Sequence, residues 1–256
     1  MNRYIFILIF SFFTISIAHA ETIRIMPLGD SITEDWAFSD QYNPRPDSQK
    51  SGYRNYLWYA LKAANLDVDF VGTHKLGSAI TPKFDIDNEG WSGLKTTQVA
   101  LYPRPSDGFY YRLKTFKPHI ILLHLGTNDW STSTSGIRDI LDEIDDCEET
   151  EGFHTTVVLA QIINKRERSS IFSNFNRNLQ TLVNQRIANG DDIVMVDMEN
   201  DAGIRYSSDD FQDRIHPNNS GYKKMANVWF KAIENIIKND SDFAYLIPAV
   251  YSLLLH

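Results

Sequence analysis

Short apolar runs alternate along this chain with longer segments whose apolar residues recur at helical spacing. The short runs cover residues 23–26, 68–71, 119–125, 155–162 and 193–196. The run 119–125 is almost continuously apolar, which is typical of a strand buried on both faces of a parallel sheet. Strands separated by helices favour a parallel, doubly wound sheet with helices on both faces. The alternation therefore predicts an α/β fold with five parallel strands.

Four segments carry the helical pattern, at residues 53–64, 137–144, 172–187 and 222–237. The third ends at Asn189-Gly190, a common helix stop. The 256-residue chain shows no internal repeat and no low-complexity linker, and α/β folds reach about 250 residues as one unit. We therefore expect one domain, over residues 21–240.

The first twenty residues do not fit this domain. Residues 5–18 are almost wholly apolar, and Ala18-His19-Ala20 supplies a small-x-small pattern before Glu21. This organisation predicts a signal peptide, residues 1–20, cleaved after Ala20, and hence a secreted or periplasmic protein. The alternative is an uncleaved membrane anchor, although the apolar run is short against the roughly 20 residues of a bilayer span.

Charge and cysteine content exclude several classes. The chain has 25 Lys and Arg against 33 Asp and Glu, a formal charge of -8, and no basic block. Such a protein is a poor nucleic-acid binder. Its single cysteine, Cys147, excludes an internal disulfide and a Cys-based zinc cluster. The sequence does not indicate an oligomeric state.

The end of the chain, residues 241–256, forms a tail outside the predicted domain. Its stretch 243–255 is apolar, is interrupted by Pro248, and is too short to span a membrane. Two roles are open: the tail packs on the body of the protein, or it contacts a membrane surface or a partner.

Polar clusters follow the predicted strands, and in such sheets ligands bind beyond the carboxyl ends of the strands. They cover residues 29–33, 89–93, 126–129 and 213–216. Each has a structural explanation by itself: Gly29-Asp30-Ser31 is a common turn, and Asn128 and Asp129 favour helix caps. Four clusters at one edge of one sheet exceed what solvated loops require, so this edge is the predicted site.

The residue types in these clusters suit nucleophilic catalysis. A serine hydroxyl such as that of Ser31 needs a base, and His216 has the appropriate chemistry. Asp213 lies three residues before His216, so that one turn could bring its carboxylate onto the ring. A tetrahedral intermediate needs hydrogen-bond donors at its oxyanion. The candidates are the Asn128 amide and the backbone N–H groups of Ser31 and Gly90.

Together these clusters resemble the SGNH hydrolase superfamily of GDSL-like esterases and lipases, whose blocks carry Ser, Gly, Asn and His in this order. Within it the chain is most similar to carbohydrate esterase family three, which is known for acetylxylan esterases. The similar phrases are IMPLGDSIT (25–33), GYR (52–54), EGWSG (89–93), LHLGTND (123–129), DRIHP (213–217) and GYKKMA (221–226). The resemblance extends over about residues 22–238.

The resemblance implies a flavodoxin-like, three-layer α/β/α sandwich and ester hydrolysis without a metal or other cofactor. Ser31 would be the nucleophile, His216 the base and Asp213 its orienting partner. The oxyanion hole would be formed by Ser31 N–H, Gly90 N–H and the Asn128 amide.

The chain departs from the family pattern at three places. Ile32 replaces a leucine, Trp91 stands where histidine is common, and the loop 36–51 is long. The last two bear on the substrate rather than on the reaction. Trp36, Trp91 and Trp130 lie beside the motif residues and either stack on sugar rings or serve as ordinary core residues.

Three functions remain open on this sequence. The first is a secreted esterase that removes small acyl groups, above all O-acetyl groups, from carbohydrate. The second is a lipolytic esterase or lysophospholipase with the same three residues, which the apolar tail would favour. The third is a non-catalytic carbohydrate-binding domain, against which the intact Ser31, Asp213, His216 and Asn128 argue.

Overall fold

The computed structural model describes residues 22–99, 108–207 and 209–239. The predicted signal peptide and the predicted apolar tail lie outside these ranges. Among the residues described, no helix is both long enough and apolar enough to cross a membrane.

One sheet runs through the centre of the molecule. Its strands are β1 (Ile23–Gly29), β2 (Val68–Phe70), β3 (His74–Lys75), β4 (Asp87–Gly90), β5 (Ile120–His124), β6 (Thr156–Gln161) and β7 (Ile193–Asp197). The five predicted strands pair in parallel in the order β2-β1-β5-β6-β7. β4 runs parallel to the end of β1, and β3 pairs antiparallel with β4. The predicted five-stranded sheet is therefore present, extended by two short strands.

Helices cover both faces of this sheet. They are α1 (Ser31–Glu34), α2 (Arg54–Ala63), α3 (Thr96–Val99), α4 (Phe109–Phe116), α5 (Ser135–Glu151), α6 (Ser170–Asn189) and α7 (Asn219–Asn239). The four predicted helices correspond to α2, α5, α6 and α7. At the end of α6, Gly190 adopts φ 114°, a left-handed conformation that suits glycine and stops the helix.

The core is divided between the two faces because successive side chains of a strand point in opposite directions. Ile120 and Leu122 of β5 are buried with α2 and α7, whereas Ile121 and Leu123 are buried with α4, α5 and α6. β1 divides in the same way, with Ile25 on the first side. The fold is the expected three-layer α/β/α sandwich.

The sequence did not predict β4, because this strand carries polar residues. Asn88 and Glu89 are completely buried in it. Glu89 accepts hydrogen bonds from Thr73 N–H (2.6 Å) and Trp91 Nε1–H (2.9 Å), and Arg112 pairs with it at 3.2 Å. A strand that buries paired polar groups carries no apolar signal. The cluster 89–93 thus begins inside a strand, not in the loop that the sequence suggested.

Candidate active site

The carboxyl ends of three strands meet at Gly29. Gly29 pairs with Gly90 of β4 on one side and with His124 of β5 on the other. A Cβ atom on Gly29 would lie 2.5 Å from the His124 carbonyl oxygen, and one on Gly90 would lie 2.5 Å from Glu34 N. Only glycine permits such close approach of the strands and α1. The turn after β1 is thereby held between the 89–93 and 126–129 clusters.

Ser31 is the first residue of α1, directly after this turn. Asp30 caps the helix, and its Oδ1 accepts a hydrogen bond from Ile32 N–H at 3.0 Å. Ser31 is only 4% exposed. Its own N–H donates to no acceptor among the described residues. That N–H remains available for a ligand.

A continuous chain of hydrogen bonds joins Ser31, His216 and Asp213. His216 Nε2 lies 2.9 Å from Ser31 Oγ, across 185 residues of sequence. On the other side of the ring, His216 Nδ1 lies 2.8 Å from Asp213 Oδ2 and 3.0 Å from Oδ1. Because a carboxylate only accepts, Nδ1 carries the proton and Nε2 is free to accept the serine proton. This is the geometry of an activated serine nucleophile.

Asp213 is held as an anion by its surroundings. Its carboxylate accepts hydrogen bonds from the N–H groups of Phe38 (2.9 Å), Ile215 (2.8 Å) and His216 (2.8 Å). Burial alone would raise the pKa of Asp213, but these hydrogen bonds and the His216 ring lower it to about 2. The carboxylate stays ionised at neutral pH, so it can stabilise a protonated His216.

The three predicted oxyanion donors differ in whether their hydrogens are already engaged in hydrogen bonds. The Ser31 N–H donates to no acceptor among the described residues. Asn128 Nδ2 donates one hydrogen to the Leu94 carbonyl (3.0 Å), which leaves its second hydrogen. The Gly90 N–H instead donates to Asn88 Oδ1 at 3.0 Å. Gly90 therefore lies at the predicted place, but its N–H is engaged by a side chain that the sequence did not single out.

Two aromatic rings flank the His216 ring. Trp36 and Phe38 meet it edge-on, with ring centroids 5.5 and 5.2 Å away. Trp36 was a candidate from the sequence, whereas Phe38 was not. Phe38 nevertheless contacts the His216 ring and donates its backbone N–H to Asp213. The sequence feature that could have pointed to Phe38 is its position in the long loop 36–51. That loop is fixed by Arg45, which lies 2.8 Å from Asp40 and 3.4 Å from Asp35.

The other two candidate tryptophans lie in different settings. Trp91 is packed by the His74 ring, 3.9 Å between centroids, and by the Arg112 guanidinium at 4.9 Å. Trp130 is 51% exposed, leans on Phe172 at 5.3 Å, and has φ 47°. A bulky residue at positive φ is uncommon and occurs where the surroundings impose it. Trp130 thus offers far more free ring surface than Trp91.

Asp30 and Asp129, the sequence neighbours of Ser31 and Asn128, have separate roles. Burial raises the pKa of Asp30 to about 6, although the Ile32 N–H opposes this. Asp129 accepts hydrogen bonds from Thr96 N–H (3.1 Å) and Oγ1–H (2.6 Å), which ties α3 to the loop after β5. Thr134, not Asp129, precedes α5, so the 126–129 cluster is not its cap.

The other histidines of the described ranges take no part in the hydrogen bond between Ser31 and His216. His124 is completely buried, accepts from Ile163 N–H at 3.1 Å, and has a pKa that burial lowers to about 4. His74 contacts the Gly90 carbonyl at 2.7 Å through Nδ1. Over residues 22–99, 108–207 and 209–239, no three His, Cys, Asp or Glu side chains are grouped to hold a metal ion.

Comparison with known proteins finds esterases among the relatives of this chain. A curated multidomain esterase of Ruminococcus flavefaciens is 28% identical over 243 residues, covering 86% of this chain; the match spans 29% of that protein's length. The structure of a Clostridium thermocellum family 3 carbohydrate esterase superposes with a TM-score of 0.68 at 26% identity, over 85% of this chain and 98% of the other.

A family 3 carbohydrate esterase from Talaromyces cellulolyticus has the same fold, with a TM-score of 0.68 at 24% identity over 86% of this chain and all of the other (100%). The sequence model of the GDSL-like Lipase/Acylhydrolase family matches residues 28–224, a range that includes Ser31, Gly90, Asn128, Asp213 and His216. The chain therefore belongs to the GDSL-like lipase/acylhydrolase family and is a carboxylic ester hydrolase of the SGNH type.

Proposed function

We propose that this protein is a secreted esterase that removes acetyl groups from carbohydrate, with Ser31, His216 and Asp213 as its catalytic residues. The observation that carries the proposal is the hydrogen-bond chain from Ser31 Oγ through His216 to Asp213, with distances of 2.9 and 2.8 Å. The His216 ring is within hydrogen-bond distance of both the proposed nucleophile and the orienting carboxylate.

Acylation begins when Ser31 Oγ attacks the ester carbonyl carbon while His216 Nε2 takes the serine proton. Asp213 stabilises the imidazolium through Nδ1–H. The Ser31 N–H and the second Asn128 amide hydrogen donate to the oxyanion, whereas the Gly90 N–H is held by Asn88 Oδ1. As the tetrahedral intermediate collapses, the alcohol leaves with the proton from His216.

Deacylation repeats these steps with water. His216 takes a proton from the water as its oxygen attacks the acyl-enzyme carbonyl, and a second tetrahedral intermediate forms. Its collapse returns the proton to Ser31 Oγ and releases the carboxylic acid. Every proton passes through His216, so all steps rest on residues of this chain.

Carbohydrate as the alcohol is supported by two observations. The Clostridium thermocellum structure, described as a carbohydrate esterase, covers nearly the whole domain. In addition, Trp130 presents a half-exposed ring next to the Asn128 loop, and such rings stack on sugar faces.

A lipolytic function is the second candidate. On loop 36–51, Tyr42 is 85% exposed. Phe38, whose ring contacts His216, is 40% exposed. Exposed aromatic side chains beside an esterase site suit an acyl chain or a lipid surface. Activity that rises with acyl length would favour this candidate over a carbohydrate esterase.

The test is a series of aryl esters from acetate to decanoate, assayed on the mature protein with Ser31→Ala as the blank. The proposal requires activity concentrated on acetate, followed by release of acetate from acetylated xylan. A maximum at octanoate or decanoate would replace it with the lipolytic function. Wild-type rates no higher than the blank would show that the catalytic assignment is wrong.

A further inference from the structure

Three cations without ion-pair partners lie together at one side of the candidate active site. Lys165 and Arg166 are half-buried, and Arg214 is exposed. Within the described residues, none of the three side chains has a carboxylate within salt-bridge distance. We call Lys165, Arg166 and Arg214 the cationic rim. Unpaired cations grouped at one place are unexpected in a chain with a formal charge of -8.

Two other cations near the site are neutralised. Arg45 pairs with Asp35 and Asp40, and Lys50 pairs with Glu34 and Asp47. The acidic groups are likewise engaged: Asp213 with His216, and Asp129 with Thr96. One exposed acid, Glu167, directly follows Arg166 in sequence. The rim therefore keeps a surplus of positive charge.

Backbone hydrogen bonds place the rim beside the catalytic loop. Arg166 N–H donates to the Arg214 carbonyl at 2.9 Å, and Arg214 lies between Asp213 and His216 in sequence. On its other side, the β6–α6 loop leads into Phe172, on which Trp130 leans. The loop that carries Lys165 and Arg166 thus connects the His216 loop with the helix on which Trp130 packs.

A buried network holds this loop in position. Asn164 Oδ1 accepts from Lys165 N–H (2.9 Å) and Ser169 N–H (2.7 Å), and Asn164 Nδ2 donates to Glu199 at 2.9 Å. Glu199 also accepts from Ser173 Oγ–H (2.6 Å) and Asn176 Nδ2–H (2.8 Å). Burial alone would raise the pKa of Glu199, but these hydrogen bonds lower it. The rim is accordingly preorganised rather than loose.

We propose that the cationic rim binds a carboxylate on the sugar chain that carries the acetyl ester, so that the preferred substrate is an acetylated acidic polysaccharide. This inference rests on the proposed function and names the class of its substrate. Arginine guanidinium groups match carboxylates in geometry, and Lys165 adds a point charge. A sugar ring on Trp130 would bring a neighbouring acidic residue toward Arg166 and Arg214.

An anionic membrane surface would also attract a cationic rim, but the structure favours a polysaccharide. Membrane binding through an interface needs a continuous apolar face next to the cations. Of the exposed aromatic residues near the site, Phe38 and Tyr42 lie on the 36–51 loop, whereas Trp130 follows β5 and packs on Phe172. An isolated ring next to cations is suited to one sugar and one carboxylate.

The test compares acetate release by the mature protein from two polymers, acetylated polygalacturonate and acetylated xylan without uronic acid groups. The readout is the ratio of kcat/KM for the acidic polymer to that for the neutral one. We expect this ratio to exceed one at low salt and to fall as NaCl rises, because exposed charges are screened. Arg166→Gln and Arg214→Gln should each lower it about two- to fivefold, as expected for single exposed pairs.

Two further variants separate specific from general effects. Arg214→Lys retains the charge but loses the planar guanidinium, so its ratio should fall between those of the wild type and Arg214→Gln. Lys231→Gln removes an exposed cation from the second half of α7, far along the helix from His216, and should leave the ratio unchanged.

The possible failures are distinguishable. Equal ratios in the wild type and in both arginine variants, or an equal loss in Lys231→Gln, would overturn the acidic-polysaccharide inference while the proposed function stands. If neither polymer is deacetylated but aryl acetate is cleaved, the proposed function itself fails and this inference with it. Binding to anionic phospholipid vesicles that Arg214→Gln abolishes, with both polymers untouched, would assign the rim to a membrane surface.

Discussion

At the scale of single residues, the proposed mechanism makes Ser31 and His216 depend on each other, because Ser31 would supply the nucleophile and His216 its base. We expect Ser31→Ala and His216→Ala each to lower kcat by about 10⁴-fold or more, and the double variant to cost little beyond that. Asp213→Ala should cost less than either. The measurement is kcat/KM on aryl acetate, with folding checked by circular dichroism.

His154→Ala is the matched control for this series, since His154 is a surface histidine with a side chain 65% exposed. It should retain wild-type activity. Full activity in His216→Ala, or losses that multiply in the double variant, would contradict the assignment of these residues to one unit.

Asp30 makes folding stability depend on pH. Its pKa is about 6 in the folded protein, above the ordinary value of 3.8, because it is buried. Protonated Asp30 therefore favours the folded state below about pH 4, and this contribution is lost as the pH rises through 6. Asp30→Asn cannot ionise, so relative to the wild type it should gain up to about 3 kcal/mol in unfolding free energy between pH 4 and pH 8.

Urea unfolding of both proteins at a series of pH values measures this difference. Asp139→Asn, at an exposed position of α5, serves as the control and should follow the wild-type curve. If the unfolding free energies of Asp30→Asn and the wild type change in parallel with pH, ionisation of the buried Asp30 carboxyl does not destabilise the folded protein as expected.

Local motifs identify the residues that the structure brings together, but not all of their partners. Ser31, Asn128, Asp213 and His216 each stand in a recognisable phrase, so the sequence alone points to them. Phe38 contacts Asp213 across 175 residues, and Asn88 takes the Gly90 N–H from within a polar strand. Neither contact leaves a local pattern, because both depend on how distant segments meet.

At the scale of elements, one buried side chain joins the segments around the site. Arg54 of α2 is completely buried and donates to four carbonyl oxygens: Thr33 (3.0 Å), Lys50 (3.2 Å), Leu76 (3.2 Å) and Ile86 (3.4 Å). Thr33 lies in α1, next to the nucleophile. The 49–51, 76 and 86 segments are thereby tied to the turn that carries Ser31.

We expect Arg54→Met to lower the unfolding free energy by about 3 kcal/mol or more, because it leaves buried carbonyl groups without donors. Activity should fall further than stability alone explains, since α1 loses its anchor. Chemical denaturation together with kcat/KM at a temperature where the variant is folded measures both. Arg138→Met, at an exposed position of α5, is the control. If both variants change the unfolding free energy and kcat/KM equally little, this role of Arg54 is contradicted.

Apolar elements could be predicted from the sequence and polar ones could not. The five predicted strands and four predicted helices are confirmed because each buries a periodic apolar face. β4 carries Asn88 and Glu89, and α1 has only four residues, so neither has a period to detect. These two elements are also the ones that shape the site, where burial of polar groups replaces burial of apolar ones.

At the scale of the whole molecule, the stability of the domain does not depend on thiol chemistry. Cys147 is the single cysteine of the chain and is buried, and burial raises the pKa of its thiol to about 11. A buried thiol of this kind resists oxidation and exchange. The two large apolar clusters on either side of the sheet stabilise the fold without any crosslink.

Cleavage after Ala20 is the last prediction, and the start of the domain is compatible with it. β1 begins at Ile23, and Thr22 Oγ1 donates to Asp67 at 2.9 Å, so that a chain beginning at Glu21 retains every contact described here. Expressed with its first twenty residues in a secreting bacterial host, the protein should be exported and have Glu21 as its first residue, read by intact mass. A version that starts at Glu21 should match its Tm and kcat/KM. Recovery of the uncleaved chain in the membrane fraction would instead make residues 1–20 an anchor and would hold the esterase site at a membrane surface.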